Sequence, residues 1–316
     1  MRVRPRHDSA VSRLTWGRHL LLCPPRHYDV VYEINPYMHV EVHPDPDRAA
    51  AQFEGLVATL RQAGATIELM DPVPGLPDLV FTANAGFVDA GRFVPSRFRH
   101  PQRQGETPVD VAWFRARGYE VVDLGLDEPF EGAGDALPFG GGPASGGRTV
   151  IVAGYRMRSS VAAHLRLGSL LGVPVRSVEL VDERWYHVDL VFCPLDDRRA
   201  LIAPQGLDRY GCRVLEALVP EPIWLEDDEA ASFCANSVVI GDVIVMPACT
   251  PALGRRLEAA GLQVAVAPVG EFLKAGGGCR CLTLALDVDL GASPGRSAVG
   301  ARPGGRSVAT GTASRP

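Results

Sequence analysis

The stretch VFTANAGFVDAGRFVPS (residues 80–96) places a polar residue, Asn84, beside a short apolar run that is followed by a turn and a second apolar run. Three later stretches have the same form: FEGAGDALPFGGGPASGGRTVIVAG (130–154), YHVDLVFCPLDDRRALIAP (186–204) and SFCANSVVIGDVIVMPA (232–248). Two short apolar runs around a turn are typical of a pair of β-strands. The chain therefore contains an internal repeat whose unit begins with a strand pair.

The polar residues that mark this repeat recur at a period near 50 residues, at Asn84, Asp135, Asp189 and Asn236, and one further step reaches Thr283 in AGGGCRCLTLAL (275–286). Between strand pairs lie helical stretches such as 45–64 and 250–261, each with a proline near its start and a glycine at its end. Strand pairs that alternate with single helices at this period predict a five-bladed α/β propeller with its helices outside. Loops from all five modules would then converge on one site.

Length and composition limit what the chain can be. With 316 residues and 46% hydrophobic content it can bury one large core or two modest ones. The N-terminus lacks the apolar region of a signal peptide, and the seven cysteines are widely spaced, so we expect a cytoplasmic protein. No apolar run approaches the roughly 18 residues of a membrane helix. Zinc-ligand spacing is also missing, and we expect neither a metal nor a cofactor.

Charge is distributed unevenly along the chain. Residues 1–17 carry a net charge of +3 and the tail 291–316 carries +4; subtracting both from the formal −5 leaves about −12 for residues 18–290. We expect residues 1–15 and 291–316 to be disordered basic segments that flank a single catalytic domain, 16–290. An acidic body argues against nucleic acid and suits a small cationic ligand. A solvated acidic surface explains the same charge.

Cys281 is a candidate nucleophile. It follows a glycine run, where backbone can approach a ligand closely, and it adjoins Arg280, whose charge could lower a thiol pKa. A buried cysteine that packs as a small hydrophobic residue explains the position equally well. Cys279 would face the same side of a strand, so spacing alone does not choose between the two thiols.

His187 and Asp189 are separated by one residue in YHVDLVF and would share one face of a strand. On that apolar strand each needs a hydrogen-bond partner, which could be a ligand or the other residue. Glu131 and Asp135 flank glycines in FEGAGDAL, which is not a dinucleotide motif because Leu137 occupies the third glycine position. A cysteine, a histidine and several carboxylates at one centre suit covalent catalysis on a planar cation. Carboxylates hold a guanidinium in its plane, its charge favours a facing thiolate, and a histidine transfers the protons.

The segments PDLVFTANAGFV, PFEGAGDAL, YHVDLVFCPLD and LKAGGGCRCLTL closely resemble the guanidino-group-modifying superfamily, which includes arginine deiminases, dimethylargininases and amidinotransferases, and within it the arginine dihydrolase domains. The resemblance covers roughly residues 16 to 287. It implies the five-bladed propeller known as the pentein fold, with Cys281 as nucleophile, His187 as general acid and base, and Glu131 as a guanidinium-binding carboxylate. Asp189 matches a second substrate-binding acid, and Asp135 is a further expected substrate contact. The step CLT selects Cys281 over Cys279.

Asn84 separates the subfamilies, because deiminases and dimethylargininases typically carry an aspartate there, whereas dihydrolase-like domains carry asparagine. An asparagine can donate its amide hydrogens to the neutral ureido group of citrulline. Asn35 in YEINPYM and Arg103 in PQRQGE also resemble substrate-binding positions, with Arg103 a candidate for the substrate carboxylate. Cys279 departs from the family pattern. The second domain of some dihydrolases is absent, so we expect any downstream step to belong to another protein.

The leading function is therefore a guanidino hydrolase that converts arginine to ornithine, with a small cationic guanidino substrate, no nucleic acid or membrane partner, and a homo-oligomer as one option. The runner-up hydrolyses dimethylarginine or arginine to citrulline. An amidinotransferase, in which an amine replaces water in the second step, is also compatible. A non-catalytic binding protein, like the ribosomal anti-association factors that share a five-fold propeller, is disfavoured because it has no need for the cysteine, histidine and carboxylates together.

Overall fold

The computed structural model describes residues 17–142 and 146–291, and this part contains fifteen β-strands and eight α-helices. In chain order they are β1 (His19–Leu22), α1 (Pro46–Gln62), β2 (Thr66–Leu69), β3 (Gly86–Asp89), β4 (Arg92–Pro95), α2 (Glu106–Ala116), β5 (Glu120–Val121), α3 (Gly132–Asp135), β6 (Ala136–Gly140), β7 (Thr149–Tyr155), α4 (Val161–Leu171), β8 (Val175–Glu179), β9 (Phe192–Pro194), β10 (Arg199–Ile202), α5 (Arg209–Leu218), β11 (Glu221–Trp224), α6 (Asp227–Ala231), β12 (Val238–Ile240), β13 (Val243–Met246), α7 (Pro251–Ala259), β14 (Gln263–Val266), α8 (Gly270–Leu273) and β15 (Leu284–Ala285). The terminal segments predicted to be disordered lie outside the described residues, apart from Gly291.

The strands form five separate three-stranded sheets of one topology. In each sheet the middle strand is antiparallel to one neighbour and parallel to the other. Thus β3 pairs with β4 through Phe87↔Val94, and β4 pairs with β5 through Phe93↔Val121. A tight turn suffices for the antiparallel pair, whereas the parallel pair needs a crossover, which a helix supplies in every sheet. Each sheet therefore corresponds to one repeat unit predicted from the sequence.

The fifth sheet joins the two ends of the described chain. Strand β15, which follows the marker Thr283, pairs with β1 through Leu20↔Ala285, and β1 is parallel to β2 through Leu20↔Ile67. The side chain of Asp287 adds to this joint by accepting hydrogen bonds from two backbone N–H groups at the start of β1. The fifth repeat thus takes its second and third strands from the beginning of the chain.

The five marker residues occupy equivalent places, each within three residues of the first strand of its sheet. All five side chains are buried: Asn84, Asp135, Asp189, Asn236 and Thr283. Buried polar groups require hydrogen-bond partners or a ligand. The repeat therefore collects polar side chains away from water, as the sequence pattern predicts.

One prediction of local structure is wrong. His187 and Asp189 were expected on one face of a strand, but Val188–Leu190 is a 3₁₀ turn and β9 begins only at Phe192. Cys279 and Cys281 also lie before β15 rather than in it. The pair His187 and Asp189 and the pair Cys279 and Cys281 both lie in turns ahead of a strand. The rule that every second side chain of a strand points to the same face therefore does not apply to either pair.

Both helices predicted from end signals are confirmed. In α1, Asp45 caps the N-terminus by accepting a hydrogen bond from the N–H of Arg48, and in α7 Thr250 caps in the same way. A proline occupies the first turn of each helix, where its missing N–H costs no hydrogen bond. The chain then leaves each helix through a glycine with positive φ.

The core lies between the sheets and the inner faces of the crossover helices. Helix α1 buries Phe53, Leu56 and Leu60 and leaves most of its other residues in solvent. The central five residues of β7, TVIVAGY, are all buried, as expected for a strand covered on both faces. Within the described ranges no helix is both long and apolar enough to cross a bilayer.

Gly86 in β3 tests this packing. A Cβ added there would lie 2.4 Å from a ring carbon of Phe93 and 2.4 Å from the carbonyl oxygen of Val94. We expect Gly86→Ala to lower the free energy of unfolding by about 1–3 kcal/mol, because neither neighbour can move freely. The matched control is Gly55→Ala in α1, where nothing lies within 4 Å of the added Cβ.

The control should raise the free energy of unfolding by up to ~1 kcal/mol, because alanine favours helix over glycine. Urea unfolding of both variants measures the difference. Equal effects of the two substitutions would contradict the packing described for β3.

Candidate active site

A small, largely enclosed cavity lies beside the marker residue Asn84 and the thiol of Cys281. Its wall is formed by one thiol, one carboxylate, two guanidinium groups, amides and apolar groups, from Ile34, Asn35, Asp78, Phe81, Asn84, Arg103, Arg158, Tyr186, Ala275, Gly277 and Cys281. These residues are far apart in sequence. The tertiary structure thus brings three of the predicted site residues to one wall together with Cys281: Asn35, Asn84 and Arg103.

Cys281 is the thiol of this cavity. Its Sγ lies 3.1 Å from Nδ2 of Asn236 and 3.4 Å from Oδ2 of Asp189. Cys279 is directed elsewhere, with its Sγ 3.4 Å from the carbonyl oxygen of Ala267. Gly276 ahead of both thiols has a φ of +80°, which favours glycine, and its carbonyl accepts a hydrogen bond from Tyr186. The geometry thus separates two thiols that the sequence alone could not distinguish.

Cys281 is held as a thiol in this site. Burial, and then the neighbouring Asp189, raise the pKa of Cys281 well above its usual range. Arg280, which the sequence suggested could lower this pKa, does not offset the rise and acts to lower the pKa of Asp189. A positive charge that activates Cys281 must therefore come from somewhere other than the neighbouring arginine.

His187 and Glu131 form a buried pair, with His187 Nε2 2.8 Å from Glu131 Oε2. Burial opposes ionisation of Glu131, but Arg158 and the hydrogen bond from His187 outweigh it and hold the pKa of Glu131 well below its usual range. Burial lowers the pKa of His187 to about 4, although Glu131 opposes that shift. At neutral pH the pair is therefore a carboxylate beside a neutral imidazole.

The ionised carboxylate decides the tautomer of His187. Because Glu131 can only accept hydrogen bonds, the proton of the neutral imidazole must lie on Nε2. Nδ1 is then an unprotonated nitrogen, and it is buried with no hydrogen-bond partner among the described residues. Such a nitrogen can accept a proton, and the carboxylate of Glu131 would stabilise the imidazolium that results.

Glu131, predicted as a guanidinium-binding group, is held here by protein donors, and its role toward a substrate stays a prediction. Oε1 accepts a hydrogen bond from the backbone N–H of Arg99 at 3.1 Å, and Oε2 accepts from His187 and from Arg158. Both oxygens are thus used by protein donors, and Glu131 does not line the cavity. The structure places it as the partner that orients His187.

Asp189 retains a free oxygen. Its Oδ2 faces Cys281, whereas its Oδ1 is buried with no hydrogen-bond partner among the described residues. Burial raises the pKa of Asp189 to about 7, and Arg280 limits that rise. An unpaired carboxylate oxygen beside the nucleophile is what a cationic ligand would satisfy.

Asp135 differs from Asp189 because both of its oxygens are occupied. Oδ2 accepts a hydrogen bond from Ser159 at 2.6 Å and Oδ1 accepts one from the N–H of Val188 at 3.1 Å. Asp135 also lies outside the cavity wall. In this structure it supports the turn that carries His187, and a direct substrate contact of Asp135 stays a prediction.

Asn84 and Arg103 meet in the cavity wall. Nη1 of Arg103 donates to Oδ1 of Asn84 at 2.9 Å, while Nε and Nη2 of Arg103 donate to both oxygens of Glu106 at 2.8 Å. The oxygen of the Asn84 amide is therefore held by arginine, and its NH₂ group makes only a long contact of 3.4 Å with the carbonyl of Glu131. An amide N–H of Asn84 remains available to an acceptor.

Asn35 belongs to the segment that covers the cavity. Its Nδ2 donates to the carbonyl of Ala275 at 3.0 Å, and its Oδ1 accepts from the N–H of Tyr37 at 2.9 Å. A second, more open cavity lies outside this segment and shares four wall residues with the inner one: Ile34, Asn35, Arg158 and Tyr186. A ligand that reaches the inner cavity from this side must displace that wall.

Sequence reasoning missed two charged residues of the cavity. Asp78 is buried, and its Oδ1 has no hydrogen-bond partner among the described residues while its Oδ2 accepts from Tyr32. Arg158 is buried over the Tyr186 ring and donates to Glu131 and to the carbonyl of Ile34. An aspartate inside the apolar segment PDLVFTAN was a usable signal for Asp78. Nothing comparable distinguishes Arg158 among the 31 arginines.

No group of three or more histidine, cysteine or acidic side chains in the described part of the chain is arranged to hold a metal ion. All seven cysteines are free thiols in the described structure.

The separation of the two thiols gives a direct test. We expect Cys281→Ser to abolish turnover of a guanidino substrate, because serine is far less ionised than a thiol in the same place. Cys279→Ser should keep activity within about tenfold of the wild type, since its thiol is directed to the backbone carbonyl of Ala267 in the core and not to the cavity. Steady-state assays of both variants measure this, and equal losses would contradict the assignment.

The raised pKa of Cys281 predicts its reactivity without substrate. Alkylation of Cys281 by neutral iodoacetamide should accelerate about tenfold for each pH unit between pH 7 and pH 9, because only the thiolate reacts. Asp189→Asn should speed alkylation at a fixed pH, since it removes the anion that raises this pKa. Mass spectrometry of the Cys281 peptide follows the reaction, and a plateau below pH 8 would contradict the raised pKa.

The sequence of this chain is similar to those of known proteins. A family model described as "N,N dimethylarginine dimethylhydrolase, eukaryotic" matches residues 38–288. The bifunctional arginine dihydrolase/ornithine cyclodeaminase ArgZ of Synechocystis sp. is 42% identical over 268 residues, which are 84% of this chain but only 37% of ArgZ. The N(G),N(G)-dimethylarginine dimethylaminohydrolase of Mycobacterium tuberculosis is 35% identical over 281 residues, 89% of this chain and 90% of that enzyme.

Solved structures agree with these relatives. The N-terminal domain of ArgZ, determined as a cysteine-to-serine mutant bound to substrate, superposes with a TM-score of 0.81 at 42% identity and covers 86% of this chain and 99% of that domain. An asparagine-to-serine variant of the same domain, covalently bound to a reaction intermediate, gives the same TM-score and identity, and covers 86% of this chain and 98% of that chain. Because the family model matches most of the chain, and the mycobacterial relative is similar along nearly its whole length, this chain belongs to the dimethylarginine dimethylaminohydrolase family of guanidino-group-modifying enzymes.

Proposed function

We propose that this chain is a cysteine-dependent hydrolase of the guanidino group of arginine, which it converts to ornithine, carbon dioxide and ammonia. The observation that carries this proposal is the buried contact between Sγ of Cys281 and Oδ2 of Asp189, whose other oxygen has no hydrogen-bond partner among the described residues. A planar cation would satisfy the oxygen of Asp189, and its positive charge would supply the activation that the thiol lacks without substrate. The ArgZ domain structures with substrate and with a covalent intermediate support this reading.

The charges of the cavity wall suit the amino acid end of such a substrate. Arg103 and Arg158 are the two cations of the wall and can pair with a carboxylate. The free oxygen of Asp78 can accept a hydrogen bond from an ammonium group. Arg103 is engaged by Glu106, and Arg158 by Glu131 and the carbonyl of Ile34, so a ligand carboxylate would share either guanidinium with these partners. An α-amino acid with a cationic side chain complements all of these groups at once.

The first half of the reaction forms a covalent bond to sulfur. The thiol proton of Cys281 passes to Nδ1 of His187, and the thiolate attacks the guanidinium carbon to form a C–S bond. Collapse of this adduct breaks a C–N bond, and the departing nitrogen takes the proton back from His187 and leaves as ammonia. Glu131 stabilises the imidazolium during the interval in which His187 holds the proton.

Water completes each round. His187 removes a proton from water, the resulting hydroxide attacks the thiouronium carbon, and the C–S bond breaks to give citrulline and the thiolate. A second attack by Cys281 on the ureido carbon releases a second ammonia, and hydrolysis of the thiocarbamate gives ornithine and carbon dioxide. Two waters enter, and the products are one ornithine, one carbon dioxide and two ammonia molecules, so the atoms balance.

Asn84 supports ornithine over citrulline as the end product. Its oxygen is held by Arg103, so its NH₂ group is left to face an acceptor such as the ureido oxygen of citrulline. The runner-up, hydrolysis of dimethylarginine or of arginine to citrulline, is supported by the mycobacterial relative. The amidinotransferase alternative has no comparable support, and a pure binding role would leave the buried thiol, imidazole and carboxylates without a purpose.

We also propose the arrangement of the sheets, the cellular compartment and the kind of partner. The five sheets of one topology, with the fifth built from both chain ends, support blades arranged around the site as a five-bladed propeller. Seven unpaired thiols support a reducing, cytoplasmic compartment. The acidic body between the termini supports a small cationic partner rather than nucleic acid. A homo-oligomer stays a prediction.

Products of the wild type and of Asn84→Asp test the assignment. The wild type should release ornithine and two ammonia per arginine with little free citrulline, whereas Asn84→Asp should stop at citrulline, because a carboxylate repels the ureido oxygen and offers no hydrogen bond to it. Citrulline, ornithine and ammonia are measured in the same reaction for both proteins, and citrulline is also supplied as the starting substrate.

Stoichiometric accumulation of citrulline by the wild type, with no consumption of added citrulline, would contradict the dihydrolase proposal. Release of dimethylamine from dimethylarginine at a rate well above arginine turnover would favour the runner-up function, hydrolysis of dimethylarginine to citrulline. In either case the covalent step at Cys281 is the same, so the thiol assignment is tested separately by the serine variants.

A further inference from the structure

Asn236, the marker residue of the fourth repeat, touches the reactive sulfur from outside the cavity wall. It is fully buried, and its Nδ2 lies 3.1 Å from Sγ of Cys281 and 3.3 Å from the carbonyl oxygen of Asp189. It is therefore the amide counterpart of the carboxylate at the same position in the third repeat. Neither the proposed reaction nor the comparisons assign it a role.

The orientation of the Asn236 amide follows from its other contacts. Its Oδ1 accepts hydrogen bonds from two successive backbone N–H groups, those of Arg280 at 3.1 Å and Cys281 at 3.2 Å. Only a carbonyl oxygen can accept two such donors, so the NH₂ group must be the end that faces sulfur. The donor at the thiol is thus determined by the hydrogen-bond network.

The glycine run ahead of Cys281 permits this approach. A Cβ on Gly278 would lie 2.7 Å from Oδ1 of Asn236, closer than side-chain carbons approach such an oxygen. Any larger residue at this position would push the amide away from the two backbone donors. Gly278 is therefore part of the arrangement that presents the Asn236 N–H to Cys281.

We propose that Asn236 is a further catalytic residue, whose side-chain N–H stabilises the Cys281 thiolate each time it forms and each time it is released. The proposal rests on the proposed function, since it concerns the same nucleophile. A neutral donor suits this role: it favours the anionic sulfur without adding a fixed positive charge that would repel a cationic substrate. The side-chain amide of Asn236 is also held in place before the reaction begins by its hydrogen bonds to two backbone N–H groups, so little reorganisation is needed.

The groups around the Cys281 thiol disfavour its ionisation, so a hydrogen-bond donor to the sulfur matters there. Asp189 faces Sγ directly, and together with burial it disfavours the thiolate. The hydrogen bonds from the backbone N–H of Gly278 and from the side chain of Asn236 act in the opposite direction and favour the thiolate. Besides His187, to which the proposed reaction passes the thiol proton, the titratable and charged groups of this region are Asp78, Arg103, Arg158, Tyr186, Asp189 and, next in the chain, Arg280. Among the side chains that reach Sγ itself, Asn236 supplies the donor and Asp189 the acceptor.

Two substitutions separate the donor from the turn-holding oxygen. Asn236→Asp keeps an oxygen for the N–H groups of Arg280 and Cys281 but loses the donor to sulfur and adds a negative charge. Asn236→Ala adds no charge but loses both functions. Ser237→Ala is the matched control, because it removes a hydroxyl in the same loop that donates to the carbonyl of Cys234 rather than to Cys281.

The readout is iodoacetamide alkylation of Cys281 in the substrate-free protein between pH 7 and pH 9, followed by mass spectrometry, together with kcat/KM for arginine and thermal unfolding. Both Asn236 variants should slow alkylation at fixed pH by about 10- to 100-fold, as expected for a lost hydrogen bond to a charged group. They should lower kcat/KM by a similar factor, whereas Ser237→Ala should change neither.

The proposal is overturned if either folded variant keeps the wild-type alkylation rate. Slowing in Asn236→Asp alone would show an effect of added charge, and slowing in Asn236→Ala alone would show that only the turn matters. If one variant does not give a cooperative thermal transition, the other still decides: an unchanged rate overturns the proposal. Because alkylation needs no substrate, this test stands even if arginine proves not to be turned over, so failure of the proposed function is recognised separately.

Discussion

Removal of charged groups from water is the constraint on which the site depends. Glu131, His187 and Arg158 are buried together, and each is tolerable there because the others satisfy it: the carboxylate accepts from both the imidazole and the guanidinium. This mutual satisfaction leaves specific atoms unsatisfied, chiefly Nδ1 of His187 and one oxygen of Asp189. Those atoms mark where a ligand must complete the hydrogen bonding that the protein leaves open.

The same constraint governs the ionisation of Cys281 and His187. A buried thiol beside a carboxylate is disfavoured as a thiolate, and a buried histidine beside other cations is disfavoured as an imidazolium. A cation bound at Asp189 would reverse the first of these penalties, and Glu131 offsets the second. In the proposed reaction, ionisation of Cys281 is thereby linked to the binding of a cation at Asp189.

Much of the fold could be predicted from the sequence, because the repeat is written in hydrophobic runs and helix end signals that act locally. The helices 45–64 and 250–261 were located by their proline, capping and glycine residues, and the five markers each precede a sheet. The strand assigned to His187 and Asp189 was wrong, because a 3₁₀ turn and a strand start are both short and apolar in sequence. The hydrogen-bond partners of Glu131 and Asp135 could not be predicted, since sequence does not tell whether a carboxylate oxygen is free or already bonded.

The sequence by itself determined the repeat, the strand pairs and helices within each unit, and the residue types available for chemistry, because these depend on neighbours along the chain. Only the tertiary structure decided which thiol faces Asp189 and Asn236, that Glu131 serves His187, and that Asp78 and Arg158 join the cavity wall. It also decided that the fifth sheet takes strands from both ends. The physical reason is that hydrogen bonds and pKa shifts are set by distance and burial, and residues 45 to 92 positions apart in sequence meet at the sulfur of Cys281.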